Sequence, residues 1–513
     1  MGCNKLGAYL LLCSHQLLAN SYWSHMPAFN SVQLTELSTE QHMVLSKHLD
    51  LSTAQTKLWL DQLPQLLELL SCDTLEVLGQ PLPDYIDPGY QVISYAGALK
   101  LQPDNKEKKT IWWLPWELLP SLSQLTTELS DLSAHVPQPL LITEQELKHK
   151  GQFVIVSGNS SPAYFALQLN ILDQPELLWS VSSADAGFEE LTGTMAQPVV
   201  MAEQEKLSLF LLNTGATSAQ KPLLYKVEAL TGVAQARLVS EHTMSDLSGA
   251  LTLYDQNRDS VQDSLIFGSK TGQLWQAQFE GNQFYNIQQL ADLSGLKLDD
   301  IQFIRTLYAA VPVGGSGSDF HSRRSQWLVL LSVLQQQRST LVTLKQQEGT
   351  VSVSSDLVNR TLPLSPGLAV LTDRDLQQIQ QKKGWYSQLP GRLTHMPLVA
   401  AGVVYLNLLN QDPQSQCSME DASSALMALH LHHASSVYRH PFFPLDKAAG
   451  ALAVKTKAEG GFALIEQHSQ RILIEELLEI SPECAQCSHV MKQNSFPRWQ
   501  LMGTYHSEEG AYE

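Results

Sequence analysis

The 513-residue sequence predicts an all-β fold, a propeller of about six to eight blades behind a small helical N-terminal region. Three observations predict it. After about Tyr90 the chain breaks into short apolar runs rich in Val, Leu, Tyr, Phe and Trp, parted by clusters of Gly, Ser, Asn and Asp, the texture of many short strands. One arrangement, an apolar strand, a small polar turn and a second strand, starts at Phe153, Leu207, Ser264, Trp327 and Gly402, 54 to 75 residues apart, close to the length of a four-stranded blade with variable loops. Charged residues make up only 16% of the chain while hydrophobic residues reach 43%, which describes a globular protein rather than a disordered one. A pair of β-sandwiches is the alternative architecture for the same strands.

Taken in order, residues 1–21 read as a signal peptide: Lys5 precedes the apolar run Leu6 to Cys13, and Ala19-Asn20-Ser21 offers a small-x-small cleavage site that would start the mature chain near Tyr22. The alternative is a buried N-terminal helix. Leu12 occupies the place where a lipoprotein signal carries a small residue, so lipidation of Cys13 is not expected. No stretch reaches the ~18 to 20 apolar residues of a membrane span. Residues 22–89 combine a helical region with a Pro-rich linker. Leu34, Leu37, Val44 and Leu45 recur near helical spacing, Ser52 and Gln55 form a capping box, and Leu58, Leu63, Leu66, Leu67 and Leu70 make an apolar stripe that Pro64 should break or kink. Pro81, Pro83 and Pro88 ahead of Gly89 mark the linker. The propeller is expected over residues 90–480 and a tail over 481–513. Without the signal peptide, Cys72, Cys417, Cys484 and Cys487 remain, open to disulfides of undetermined connectivity in an oxidising compartment or to free thiols. Half a zinc site, with His489 beside Cys484 and Cys487, is the competing reading, and no second pair at zinc-finger spacing completes it.

A net charge of −18 is the wrong sign for coating a phosphate backbone or an anionic lipid surface, so nucleic acid is not an expected partner. The sharpest local signal is the run Asp255 to Asp263. Asp255, Asn257, Asp259 and Asp263 put oxygen-bearing side chains at positions 1, 3, 5 and 9, and the carbonyl of Val261 fills position 7, a set of hard oxygen ligands suited to Ca2+. Magnesium, which demands a stricter octahedron, fits less well. Such loops carry Gly at position 6, where Ser260 stands here, and that places affinity at the weak end, about 10⁻⁵ to 10⁻³ M. A solvated acidic turn is the alternative. His430, His432 and His433 suggest a ligand cluster, but His430 and His432 alternate with Leu429 and Leu431 at strand spacing, which favours one exposed face. Gly314, Gly315 and Gly317 have the density of a phosphate cradle without its Lys or following helix, and read as a surface loop. No nucleophile-elbow sequence is present.

Several stretches together resemble the C-terminal propeller domain of the PilY family of type IV pilus proteins. Tyr254 to Phe279 (YDQNRDSVQDSLIFGSKTGQLWQAQF) is similar to the family's calcium loop running into a strand, a Gly turn and a Leu-Trp strand. The run from Gly384 (GWYSQLPGRLTHMPLVAAGVVYLNLL) resembles its Gly-Trp-Tyr, Pro-Leu-Val and Gly-Val-Val-Tyr elements, and PWELLPSLSQL from Pro115 and AYFALQLNILDQPELLWSV from Ala163 follow the family's order ahead of the loop. The resemblance spans about Tyr90 to Leu431. Two departures stand out: the Asp-x-Ser-x-Ser motif of the adhesive domain in longer members is absent, and Ala98-Leu99 follows Tyr95-Ala-Gly97 where the family has an Asn-Asp-Gly turn. The resemblance implies a quinoprotein-dehydrogenase-like propeller without catalysis, a pilus biogenesis factor of the periplasm or cell surface of a Gram-negative bacterium. Its partners would be pilins, minor pilins and other assembly proteins, or a host or surface ligand, with Ca2+ modulating assembly or adhesion. A quinoprotein-like dehydrogenase is the enzymatic alternative, disfavoured because the chain has no adjacent cysteines, and a periplasmic scaffold is the binding alternative.

Overall fold

The computed structural model describes residues 39–62 and most of 176–475, together with the strands between residues 80 and 168 and those at 505–507 and 510–511. The expected signal peptide, Pro64, most of the Pro-rich stretch, Cys72, Cys417, Cys484 and Cys487 and the glycines at 314, 315 and 317 lie outside the described residues. Ahead of the sheets, Thr39–His48 is helical and residues 53–62 form a second helix. Its start is the capping box read from the sequence: the Ser52 N–H donates to Gln55 Oε1 at 2.9 Å and the Gln55 N–H donates to Ser52 Oγ at 3.3 Å.

Seven sheets then follow one another along the chain among the described residues. Sheet I runs through Gln80–Pro81, Tyr90–Tyr95, Ala98–Pro103 and Ile111–Trp113, and sheet II through Leu140–Ile142, Phe153–Gly158, Ala163–Gln168 and Glu176–Ser182. Sheet III holds Val199–Ala202, Leu207–Leu212, Pro222–Glu228 and Ala234–Val239, and sheet IV Leu247–Tyr254, Ser264–Ser269, Gln273–Glu280 and Gln283–Asp292. Sheet V is built on Asp300–Pro312, Arg323–Gln335, Arg338–Lys345 and Gly384–Gln388, sheet VI on Val403–Asn410, Ser423–His430 and Phe442–Leu445, and sheet VII on Leu452–Thr456, Phe462–Glu466 and Ile472–Ile474. These principal strands pair antiparallel with their sequence neighbours.

Period-two alternation explains why the sheets stack. In Leu207–Leu212 every residue is buried, with Leu209 and Leu211 packing into a core shared with sheet II and Phe210 and Leu212 into one shared with sheet IV. The pattern repeats: Leu265 and Phe267 face sheet III while Ile266 faces sheet V, and Val329, Leu331 and Val333 face sheet IV while Leu328 and Leu330 face sheet VI. Val404, Leu406 and Leu408 join the core with sheet V, and Val403 and Tyr405 the core with sheet VII. Each central strand therefore supplies two cores at ~1.5 to 3 kcal/mol per buried Leu, Val or Phe. Successive meanders stacked face to face make the fold a β-propeller.

Three details go beyond the sequence reading. Sheet I begins at Gln80–Pro81, inside the expected linker; the strand is at the sheet's edge, the place in a sheet where Pro is tolerated. Short parallel strands extend two blades, Val351–Ser352 on sheet IV and Leu357–Asn359 on sheet V. Two short helices, Val353–Asp356 and Asp373–Gln381, interrupt sheet V before Gly384. Gly384 opens the Gly-Trp-Tyr strand where a Cβ would lie 2.0 Å from the Thr343 carbonyl oxygen, and Trp385 next to it donates its Nε1–H to Leu431 O across to sheet VI. Among the described residues no helix is long and apolar enough to cross a membrane.

Candidate metal centre

Tyr254 and Ser264 are ladder partners, so residues 255–263 form the connection of the first hairpin of sheet IV. An Asp or Asn side chain can accept hydrogen bonds from backbone N–H groups a few residues ahead, and this loop is built from such bonds. The Asp255 carboxylate accepts from the N–H groups of Arg258 (2.5 Å), Asp259 (3.2 Å) and Ser260 (2.6 Å). Asn257 Oδ1 accepts from the Asp259 N–H and Asp259 Oδ1 from the Val261 N–H, each at 2.9 Å. Asp263 Oδ1 closes the base by accepting the Gln256 N–H at 2.9 Å. Winding the chain this tightly places Arg258 and Ser260 in the left-handed region, at φ 67° and 73°, so Ser260 does adopt the conformation that glycine usually supplies.

Asp255 and Asp263 are half-buried, while Asn257, Asp259 and Val261 are exposed. A carboxylate has about four lone-pair sites, so the oxygens that accept backbone N–H groups retain capacity toward a cation. The donor set is entirely hard oxygen, the chemistry Ca2+ takes. Among the described residues no three His, Cys, Asp or Glu side chains are grouped to hold a metal by themselves. A cation here would therefore also draw on the Asn257 amide and the Val261 carbonyl, with the carboxylates sharing their oxygens between it and the loop's own N–H groups.

Gln256 and Arg258, between the proposed ligands, were not singled out by sequence, yet they seat the loop. Gln256 Oε1 accepts from Ser264 Oγ, Gln276 Nε2 and Gln278 Nε2, and its backbone carbonyl accepts the Trp327 indole N–H at 3.2 Å. Arg258 Nη1 donates to the Tyr308 hydroxyl at 2.7 Å, with the guanidinium carbon 4.0 Å from the ring centre. Trp327 stands edge-on to Tyr308 (5.4 Å) and to Tyr254 (5.1 Å). Burial pushes the Tyr254 phenol far above its ordinary value, so it stays neutral. The alternation of polar residues in the run was the available signal; the aromatic partners are too distant in sequence for it to name them.

The histidines belong to a different kind of site. The strand ends at His430, and residues 431–433 turn back so that His430 accepts from the His432 N–H at 3.2 Å and stacks on His433 at 3.7 Å between centroids. His432 is buried, which corrects the expectation of one exposed face: the turn, not strand alternation, sets where these rings lie. Burial holds His433 well below the ordinary imidazole value, and His430, His432 and Arg360 push it the same way.

No family model matches the chain, and no curated protein does. Solved structures similar to it include the C-terminal domain of Pseudomonas aeruginosa PilY1, with TM-score 0.48 and 14% identity, covering 74% of this chain and 90% of that one. The WD40 domain of Toxoplasma gondii coronin has TM-score 0.34 and 9% identity, covering 75% of this chain and 77% of the other. Extracellular domains 1-2 of Drosophila Semaphorin 1a have TM-score 0.32 and 10% identity, covering 78% and 87%.

Proposed function

We propose that this chain is a non-enzymatic type IV pilus biogenesis factor or pilus-associated protein, exported to the periplasm or cell surface of a Gram-negative bacterium. In this reading Ca2+ held by Asp255, Asn257, Asp259, Asp263 and the carbonyl of Val261 modulates its part in pilus assembly or adhesion, and its partners are pilins, minor pilins and other assembly proteins. The observation that carries the metal half is the wound loop, where three Asp and an Asn lie on one hairpin connection and Ser260 sits at φ 73°. The pilus half is supported by the ordered sequence resemblance spanning about Tyr90 to Leu431. A bound calcium ion would supply positive charge against three carboxylates, and the chain's own part is to hold those oxygens on a hairpin anchored in sheet IV.

Calorimetry on the full chain should show calcium binding at millimolar concentration or tighter, and Asp259→Ala should weaken it without unfolding the propeller, because Asp259 is exposed and outside every core. The same substitution in the chromosome should change the number of surface pili or the twitching they drive. A silent wild-type titration would refute the calcium half. Normal piliation and motility in a clean deletion strain would refute the pilus half and leave a periplasmic scaffold as the better reading.

A further inference from the structure

The loop has two sets of residues with opposite destinations. Positions 1, 3 and 5, Asp255, Asn257 and Asp259, carry the oxygens that wind the loop, while positions 2 and 4, Gln256 and Arg258, leave it to grip other strands. Arg258 crosses from sheet IV to Tyr308 of the first strand of sheet V, and the Tyr308 hydroxyl lies 3.5 Å from Ser325 O on the second. The Gln256 carbonyl receives the indole N–H of Trp327, also on that second strand. Arg258 reaches Tyr308 from a left-handed backbone, a conformation that a residue with a Cβ keeps only where its surroundings hold it.

We propose that Arg258 and Tyr308 form a latch that couples the occupancy of the Asp255–Asp263 loop to the seam between sheets IV and V; the proposal rests on the calcium reading above. Three carboxylates on one short connection repel one another, and a cation that neutralises them favours the wound loop. The wound loop is the form in which the Arg258 backbone aims its guanidinium over the Tyr308 ring, so an ion that stabilises one stabilises the other. Coupling of this kind is reciprocal: if the ion tightens the latch, the latch tightens the ion by the same factor. Arg258 and Tyr308 are thus positioning residues for the site, and neither is a ligand.

The test is a calcium titration of the full chain by calorimetry, in wild type, Arg258→Ala, Tyr308→Phe and the double variant, with the unfolding midpoint of each measured with and without calcium. Arg258→Ala should weaken calcium about fivefold. Tyr308→Phe, which keeps the ring and loses the hydroxyl, should have a smaller effect, and the double variant should bind no more weakly than Arg258→Ala alone, because the two residues act through one contact. The calcium-induced rise in midpoint should shrink in the same order. Arg258→Ala binding calcium with wild-type affinity would overturn the latch while leaving the calcium site standing, as would single-variant effects that multiply in the double. No binding by wild type would remove the calcium reading and the latch with it. Should Arg258→Ala fold poorly, Arg258→Lys, which keeps the charge but loses the planar stack and the guanidinium geometry, should show the same reduced affinity.

Discussion

Two turns in this propeller collect the residue types that bind metals, and they use them in opposite ways. The connection of residues 255–263 satisfies its backbone with its own carboxylates and leaves three of the proposed ligands exposed, while His430, His432 and His433 are drawn into a turn between sheets V and VI. There the His433 carbonyl accepts from Arg360 Nε at 3.1 Å, Arg360 lies 3.8 Å from Asp375, and His433 Nδ1 is sealed from solvent without a hydrogen-bond partner. Oxygen ligands on a solvent-facing loop can exchange water for an ion. The buried His433 imidazole instead makes folding depend on its staying neutral.

The largest effect should come from Asp255→Ala. That change strips the acceptor from three backbone N–H groups at once, and with about 1.5 to 3 kcal/mol for a hydrogen bond to a charged group, partly regained from water, it should lower the unfolding midpoint by several degrees and abolish the calcium heat. An unchanged midpoint would mean that the carboxylate does not hold the loop.

The histidine turn should respond to pH instead. His433 has a folded-state pKa below its unfolded value of ~6.5, so the unfolded chain binds more protons and stability falls as pH drops from about 6.5 toward the lower folded value, by at most ~1.4 kcal/mol per pH unit. Denaturant midpoints measured from pH 7.5 to 5 should decline less steeply in His433→Phe than in wild type; equal slopes would show that His433 is not the group responsible.

The smallest change sharpens the comparison from the other side. Ser260→Gly removes the Cβ from a left-handed position worth ~1 to 2 kcal/mol, but adds unfolded-state freedom worth about half of that, so stability should rise by less than ~1 kcal/mol. Calcium should bind a few-fold more tightly as the wound loop becomes easier to reach. Weaker binding in the glycine variant would show that rigidity at Ser260 matters more than its strain.

Much of the blade pattern was legible because a strand buried on both faces has to be apolar throughout. The five recurrent units at Phe153, Leu207, Ser264, Trp327 and Gly402 are the central antiparallel pairs of sheets II to VI. Outer strands were harder to read: Gln283–Asp292 has few buried residues, and the two-residue strand at Gln80–Pro81 has no periodicity to detect. The loop's oxygen-bearing residues were readable from spacing, since each bonds to backbone only two to seven residues away. The histidine turn misled because strand alternation was carried past His430, where the backbone in fact reverses and the left-handed Ala434 completes the turn.

What the sequence determined by itself is local: apolar runs that must be buried on both faces, turns whose Asp, Asn and Gly satisfy or permit the backbone, and the cap of a helix at Ser52. Gly272, at φ 92° between Ser264–Ser269 and Gln273–Glu280, is a turn of this kind, written in one residue. Only the tertiary structure decided which surfaces meet. Arg258 finds Tyr308 fifty residues later, Gln256 finds Trp327 seventy-one later, and Trp385 caps Leu431 from the neighbouring sheet. The physical reason is that a pleated strand specifies which side chains leave each face but carries no information about what the next sheet presents there; that is settled when two faces close on one core and exclude water.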